Sequence, residues 1–168
     1  PQKLFSIYNG VEFPPKPARL SREEYLGSLG ITFDADTVVF GIAARLNPVK
    51  DIATLIRGFA GACRTCPNIR LIIAGDGEER QMLEELAKEV CPEGSVVFAG
   101  WVRDTDSFYN AIDVNMLTSL SEGSPYALVE GARMRCATIA TSVGGIPYMM
   151  ESGVTGLLFT PRDVDTLT

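Results

Sequence analysis

The chain alternates apolar runs of strand length with segments that have helical spacing. Six runs stand out: VVFGIAA (38–44), IRLIIAG (69–75), SVVFAG (95–100), DVNML (113–117), ATIATS (137–142) and TGLLF (155–159). They are continuously apolar instead of alternating, which indicates strands buried on both faces. The pattern therefore predicts an α/β fold, a doubly wound Rossmann-like parallel sheet covered by helices.

Helical spacing fills the first two gaps between these runs. The first gap carries apolar residues at intervals of three and four: Ile52, Leu55, Ile56 and Phe59. The second gap holds the charged segment EERQMLEELAKEV (78–90), whose apolar positions are Met82, Leu83, Leu86 and Val90. We expect an amphipathic helix in each gap. The opening KLFSIYNG (3–10) predicts one further strand.

Length and charge narrow the classes of protein. A chain of 168 residues with 46% hydrophobic content has the size of one domain, so we expect residues 1–168 to form a single unit. The net charge of −6 argues against nucleic acid as a partner, because phosphate backbones are bound by clustered Lys and Arg. No apolar run approaches the roughly 18 residues that span a bilayer. We expect a cytoplasmic protein. If the chain is part of a longer parent protein, peripheral association of that protein with the inner membrane face stays open.

The cysteines do not have the spacing of a metal site. Cys63 and Cys66 form one Cys-x-x-Cys, but Cys91 and Cys136 are distant in sequence and the chain has no histidine. A structural zinc site needs about four ligands. We therefore expect no metal, and reduced thiols that pack as small side chains.

The loops that follow the strands are where ligands bind in such sheets. ARLNPVKD, after the first strand, places Arg45 and Lys50 at that edge, where two cations can converge on a diphosphate. Two ordinary solvated charges are the alternative. GDGEE, after the second strand, has glycines that permit a close backbone approach or a positive φ, although Gly-Asp-Gly is also a plain turn.

The segment SEGSPYALVEGA (121–132) contains two glutamates around a Gly-Ser-Pro turn. We predict that Ser124 caps a helix that has Pro125 as its first residue and runs toward Arg135. The start of such a helix attracts phosphate. Glu130, about 7.5 Å along the axis, then suits ribose hydroxyls, and Glu122 before the helix suits a sugar. An acidic first turn that only complements the helix dipole is the alternative.

These segments together resemble a known family. ARLNPVKD, IAGDGEE, SEGSPYALVEGA, ATSVGGIPYMMESGVTGLLF and the early NGVEF occur in the order seen in the carboxyl-terminal, donor-binding domain of GT-B glycosyltransferases of the retaining family 4. The resemblance covers nearly the whole chain. It implies the C-terminal half of a GT-B fold and a nucleotide-sugar donor, a UDP- or GDP-sugar, with no further cofactor.

The resemblance also implies roles for individual residues. Arg45 and Lys50 would bind the donor diphosphate, Glu122 the transferred sugar and Glu130 the ribose. Backbone groups of the loops would line the nucleotide, its base, the sugar and the phosphates. The residues concerned are Gly75, Gly77, Gly100, Val102, Arg103, Gly123, Ser124, Pro125, Tyr126 and Ala127. Asn9 and Gly10 resemble the entry into the domain.

Four positions depart from the family's pattern. Ser124 stands where an aromatic is common, Arg135 and Ala137 stand where Gly and Pro follow the helix, and Tyr148 replaces a Glu after Gly-Gly-x-Pro. Because Arg135 stands in place of a glycine, we expect the helix to lose the glycine C-cap that usually terminates it near this position. The departures affect the choice of donor sugar more than nucleotide binding.

The resemblance implies a mechanism in which two domains meet. The amino-terminal domain of such an enzyme holds the acceptor, and no sequence for it is present here. The chain starts at Pro1 and stops after PRDVDTLT, so we expect a fragment that is inactive alone. The longer parent protein would transfer a hexosyl group to a hydroxyl with retention, in polysaccharide or glycolipid synthesis. A non-catalytic nucleotide-binding module and a sugar-nucleotide epimerase of the same build are the alternatives.

Overall fold

The computed structural model describes Ile7 and residues 9–168. Within this part of the chain, six strands form one parallel sheet in the order β3-β2-β1-β4-β5-β6. The strands are β1 (Val38–Ala43), β2 (Ile69–Ala74), β3 (Val96–Gly100), β4 (Val114–Leu117), β5 (Ala137–Thr141) and β6 (Leu157–Phe159). Strand order reverses at β1, which pairs with β2 on one side and β4 on the other. Such a reversal opens a crevice at the carboxyl ends of the two strands.

The predicted doubly wound α/β fold is confirmed. Each of the six apolar runs forms a strand, and each strand is one or two residues shorter than its run. The further strand predicted for KLFSIYNG falls mostly on residues outside the described part, and Asn9 and Gly10 at its end belong to no strand.

Helices cover both faces of the sheet. They are α1 (Arg22–Ser28), α2 (Ile52–Thr65), α3 (Arg80–Val90), α4 (Thr105–Ala111), α5 (Tyr126–Arg133), α6 (Ile146–Met149) and α7 (Val164–Leu167). Local sequence starts several of them, as at α1, where Ser21 and Glu24 form a reciprocal capping box. None of the helices in the described residues has the length and apolar content needed to cross a membrane.

Alternate residues of β1 and β2 contribute to two apolar clusters, one on each face of the sheet. Ile42, Leu71 and Ile73 pack with α2 and α3 on one face, whereas Val39 and Ile72 pack with α1 and α4 on the other. β1 and β2 are thus apolar on both sides, which explains the continuous runs from which they form.

The helices predicted for the first two gaps are present as α2 and α3; α3 buries Leu83 and Ala87, while Met82 and Val90 are exposed. One expectation about the thiols is wrong. Cys66 is exposed at the end of α2 and does not pack as a core residue. Burial raises the pKa of the Cys91 and Cys136 thiols to about 11, so both stay protonated near neutral pH.

Helix α5, which contains Glu130, terminates without a glycine. Arg135 takes the left-handed conformation, with φ of 64°. Its N–H donates to the carbonyl of Ala132, and the N–H of Cys136 donates to Gly131, which is the Schellman arrangement. The glycine is absent but the termination it usually supports is retained. Ala137 donates its N–H to Asp113, a bond that proline cannot form.

Candidate functional site

The loop after β1 and the loop after β2 are joined by their backbones. The N–H of Leu46 donates to the carbonyl of Asp76, and the N–H of Glu79 donates to the carbonyl of Leu46. A side chain at Gly75 would bring its Cβ to 1.8 Å from the Ala44 carbonyl oxygen, and one at Gly77 to 2.2 Å from that of Leu46. Both glycines are therefore required for the two loops to approach each other.

A cleft of about 710 Å³ opens between these loops, the loop after β3 and α5. Five of the residues predicted from sequence line it: Arg45, Gly75, Gly77, Val102 and Glu130. Gly100 supports the cleft from behind, because its carbonyl accepts the N–H of Gly75. Arg103 is exposed and does not line the cleft.

Trp101 also lines this cleft, and sequence reasoning passed over its side chain. The indole is 74% exposed although tryptophan is usually well buried. Thr105 and Phe108 line the same cleft. An isolated tryptophan directly after a strand, in AGWVRD, was the signal available in the sequence.

Arg45 and Lys50 contact different carboxylates. The Arg45 side chain is 71% exposed and lies 3.8 Å from Glu78. The Lys50 Nζ lies 2.5 Å from Oε1 of Glu122, and these two side chains are 26% and 11% exposed. Lys50 ends a short 3-10 helix (Pro48–Lys50) in which the Lys50 N–H donates to the carbonyl of Asn47. The two cations thus begin at the same sheet edge but have separate partners.

Glu122 is held by three elements. Its Oε1 accepts the hydroxyl of Ser119 at 2.6 Å as well as the Lys50 ammonium. Its carbonyl accepts the N–H of Gly145 at 3.0 Å. Gly144 approaches so closely that a Cβ there would lie 1.8 Å from the Glu122 carbonyl oxygen. The glutamate predicted to meet a sugar is therefore already fixed in a charged pair.

The helix α5 begins at Tyr126, so the prediction that Ser124 caps it is wrong. Pro125 is the N-cap residue and supplies no side-chain cap. Ser124 is engaged elsewhere, because its Oγ accepts the N–H of Asn9 at 3.2 Å and its carbonyl accepts the Asn9 side-chain amide at 2.6 Å. Within the described residues, the N–H groups of Tyr126 and Ala127 donate no hydrogen bond. Such free N–H groups are those that bind anions at helix starts.

Gly123 and Ala127, in the same segment, approach other parts of the chain through their carbonyl groups. Gly123 precedes α5, and a Cβ at Gly145 would lie 1.8 Å from the carbonyl oxygen of Gly123. The carbonyl of Ala127 accepts the side-chain amide of Asn115 at 2.9 Å. Tyr148 is exposed on α6. Among the described residues, Tyr148 forms no hydrogen bond with Glu122 or Glu130.

Glu130 lies half-buried in the wall of the cleft. Its Oε2 accepts the hydroxyl of Tyr109 at 3.3 Å. Burial raises the pKa of the Glu130 carboxyl, and the Tyr109 hydrogen bond and the Arg133 charge oppose that effect. Burial, together with the charge of Glu130, also raises the pKa of Tyr109. The tyrosine therefore stays a donor, and the carboxylate keeps accepting capacity for a ligand hydroxyl.

The family model for glycosyl transferases group 1 matches residues 30–168. An uncharacterized glycosyltransferase of Methanocaldococcus jannaschii, MJ1607, is 31% identical over 98% of this chain and 43% of its own length. The lipopolysaccharide core biosynthesis glycosyltransferase LpsE of Rhizobium meliloti is 32% identical over 78% of this chain and 37% of its own length. The chain thus spans less than half the length of these relatives.

Solved structures share the fold. Anabaena Alr3699/HepE, a complex with UDP and glucose, matches with a TM-score of 0.82 and 27% identity over 96% of this chain and 44% of its own. The C-terminal domain of the group 1 family protein LpcC from Francisella tularensis matches with a TM-score of 0.75 over 90% of this chain and 80% of its own. At 23% identity the second likeness concerns the fold alone. With a family model that matches most of its length and a sheet like those of GT-B glycosyltransferases, the chain belongs to the group 1 glycosyl transferases.

Proposed function

We propose that the chain is the donor-binding domain of a retaining, family 4 glycosyltransferase, and that it binds a nucleotide-sugar. The observation that carries this proposal is the cleft at the carboxyl edge of the sheet, which combines an exposed cation, Arg45, with a half-buried carboxylate, Glu130. A cation suits a diphosphate, and a carboxylate suits the vicinal hydroxyls of ribose. The Alr3699/HepE structures in complex with UDP and with UDP-glucose support the same class of ligand.

The start of α5 supplies a second anion-binding element. The free N–H groups of Tyr126 and Ala127 follow directly on the loop that carries Glu122. In the proposed complex the diphosphate lies between these N–H groups and Arg45, and the sugar lies toward Glu122. Trp101, exposed in the cleft beyond Gly75, offers a flat surface against which a base can stack.

Lys50 and Glu122 act as one unit in this proposal. The ammonium lies 2.5 Å from the carboxylate and about a quarter of its side chain is exposed, so it can also donate to a diphosphate oxygen. Charge that develops on the leaving diphosphate would then be stabilised by Lys50, Arg45 and the helix start. The carboxylate positions the sugar and transfers no proton, in contrast to the acid and nucleophile of a glycosidase.

Catalysis is proposed to need a second domain that holds the acceptor. The single six-stranded sheet of the described residues supports the proposal that residues 1–168 form one domain. The closure of two domains aligns the reacting groups, and such alignment contributes about 7–11 kcal/mol in intramolecular reactions. The chain by itself is therefore proposed to bind the donor weakly and to transfer no sugar.

The test compares the purified chain with the longer protein. Both are incubated with labelled UDP- and GDP-sugars and with glycan and glycolipid acceptors, and the products are separated. A glycoside of retained configuration made only by the longer protein supports the proposal. Transfer by the chain at a comparable rate contradicts the two-domain mechanism, and an inverted product contradicts retention.

The same assay separates the alternatives. An epimerised sugar-nucleotide would identify an epimerase, and donor binding without any product would identify a non-catalytic module. The second alternative draws support from Ser124, whose hydroxyl and carbonyl hold Asn9 where the family often has an aromatic. A role of the longer protein in polysaccharide or glycolipid synthesis at the inner membrane face belongs to the same proposal. Lipid-linked product and membrane co-sedimentation of that protein would support it.

A further inference from the structure

Ser119 occupies the junction at which the two functional loops meet. It follows β4 and is 2% exposed. Its Oγ donates to Oε1 of Glu122 at 2.6 Å, and its carbonyl accepts the hydroxyl of Thr141, at the end of β5, at 2.6 Å. Thr141 is itself fully buried. The serine is thus fixed from the neighbouring strand and in turn fixes the glutamate.

The residue before it performs the same task for the cation. Thr118 is fully buried, and its hydroxyl donates to the carbonyl of Lys50 at 2.9 Å. The N–H of Leu120 donates to the carbonyl of Val49 at 2.7 Å. The carboxyl end of β4 therefore holds the backbone of Lys50 and the side chain of Glu122 at the same time.

The two donors on Glu122 converge on one oxygen. Ser119 and the Lys50 ammonium both bond to Oε1. Among the described residues, Oε2 accepts no hydrogen bond from another group. A carboxylate held in this way has a defined rotamer and presents one oxygen to a ligand hydroxyl. Without Ser119 the carboxyl group can rotate about its single remaining contact, to Lys50.

We infer that Ser119 is a positioning residue, which orients Glu122 so that Oε2 accepts a hydroxyl of the donor's sugar. The inference rests on the proposed function, because it gives Glu122 a nucleotide-sugar to bind. Ser119 itself contacts no ligand. Its loss should therefore weaken recognition of the sugar and spare recognition of the nucleoside diphosphate.

The experiment measures two affinities for each variant. UDP and UDP-glucose, and in parallel GDP and GDP-mannose, are titrated calorimetrically into the chain as wild type, Ser119→Ala, Ser119→Thr and Glu122→Ala. The readout is the ratio of the nucleotide-sugar Kd to the nucleoside diphosphate Kd. A general folding defect weakens both ligands and leaves this ratio unchanged. Ser121→Ala is the matched control, since Ser121 is exposed in the same loop.

We expect Ser119→Ala to raise the ratio about tenfold, because the sugar hydroxyl loses its hydrogen bond to the displaced Glu122 carboxylate. Ser119→Thr keeps the hydroxyl and should restore most of the ratio, and Ser121→Ala should leave it unchanged. An unchanged ratio in Ser119→Ala beside a raised ratio in Glu122→Ala overturns the inference and leaves the proposed function intact. If the wild type binds neither the uridine nor the guanosine nucleotides, the proposed function itself is overturned. If the ratio is unchanged in Glu122→Ala, the assignment of the sugar to Glu122 is overturned.

Discussion

Replacement of Lys50 by methionine removes the cation from the pair with Glu122 and leaves the length of the side chain nearly unchanged. An exposed ion pair contributes about 0–1 kcal/mol. The loss of one partner from a fully buried pair costs about 3–5 kcal/mol, since a charge is left without compensation. With side chains that are 26% and 11% exposed, this pair lies between the two limits. We expect Lys50→Met to lower the free energy of unfolding by about 1–3 kcal/mol.

A double-mutant cycle separates the pair from the individual residues. The free energy of unfolding is measured by urea denaturation for Lys50→Met, Glu122→Gln and the double variant. The double variant should be about 1 kcal/mol more stable than the sum of the two single losses predicts. Arg45→Met is the control, because its partner Glu78 lies 3.8 Å away on the exposed surface, and it should change the free energy of unfolding by less than about 0.5 kcal/mol. Single losses that add within about 0.5 kcal/mol would refute a coupled pair.

Three further outcomes follow from the site and its helix. Arg45→Ala should weaken UDP by about 1.5–3 kcal/mol and leave uridine unchanged, and an equal loss for both ligands in calorimetry would contradict a diphosphate contact. Because the pKa of Glu130 is raised, its carboxyl is protonated at a higher pH than that of an ordinary glutamate, and UDP affinity should fall as the pH is lowered through that pKa. Glu130→Gln should flatten this pH dependence of the affinity. A pH dependence that persists in Glu130→Gln would assign the effect to another group. Arg135→Gly should stabilise the fold by about 0.5–1 kcal/mol, because glycine takes the left-handed φ of 64° without strain, and a lower melting temperature would contradict this.

The strands were predictable because their cause lies within each run. A strand covered by helices on both faces needs apolar side chains at consecutive positions, and VVFGIA or IRLIIA records that need directly. The position of the cations and glutamates near one edge of the sheet was predictable for a similar reason, since residues that follow parallel strands collect at one edge, and their roles stay a prediction.

Contacts between distant segments could not be predicted from local rules. Ser124 has the side chain of a good helix cap, but Asn9, 115 positions earlier, engages it instead. Lys50 and Glu122 are 72 positions apart, and no pattern in either segment indicates that they form a pair. Ser119 was missed although Glu122 is only three positions away, because its burial and its contact with Thr141, 22 positions later, depend on the folded sheet.

The end of α5, which has no glycine, shows the opposite case, in which a rule was applied too strictly. Arg135 was expected to disturb the termination of the helix, but the Schellman hydrogen bonds form with an arginine in the left-handed conformation. Gly131, whose carbonyl accepts the Cys136 N–H, also lies against Asn115 so closely that a Cβ there would come within 2.4 Å of the Asn115 amide nitrogen.

The proposed roles of the two glutamates, ribose binding by Glu130 and sugar binding by Glu122, are tested most directly by titration of UDP into the wild-type chain, Glu130→Ala and Glu122→Ala. Glu130 lines the cleft beside Arg45, whereas Glu122 is bound to Lys50 and Ser119. Glu130→Ala should weaken UDP tenfold or more, by about 1.5–3 kcal/mol for hydrogen bonds to a charged group, and Glu122→Ala should leave UDP no weaker than in the wild type. Weaker UDP binding in Glu122→Ala beside unchanged binding in Glu130→Ala would contradict the assignment of the ribose to Glu130.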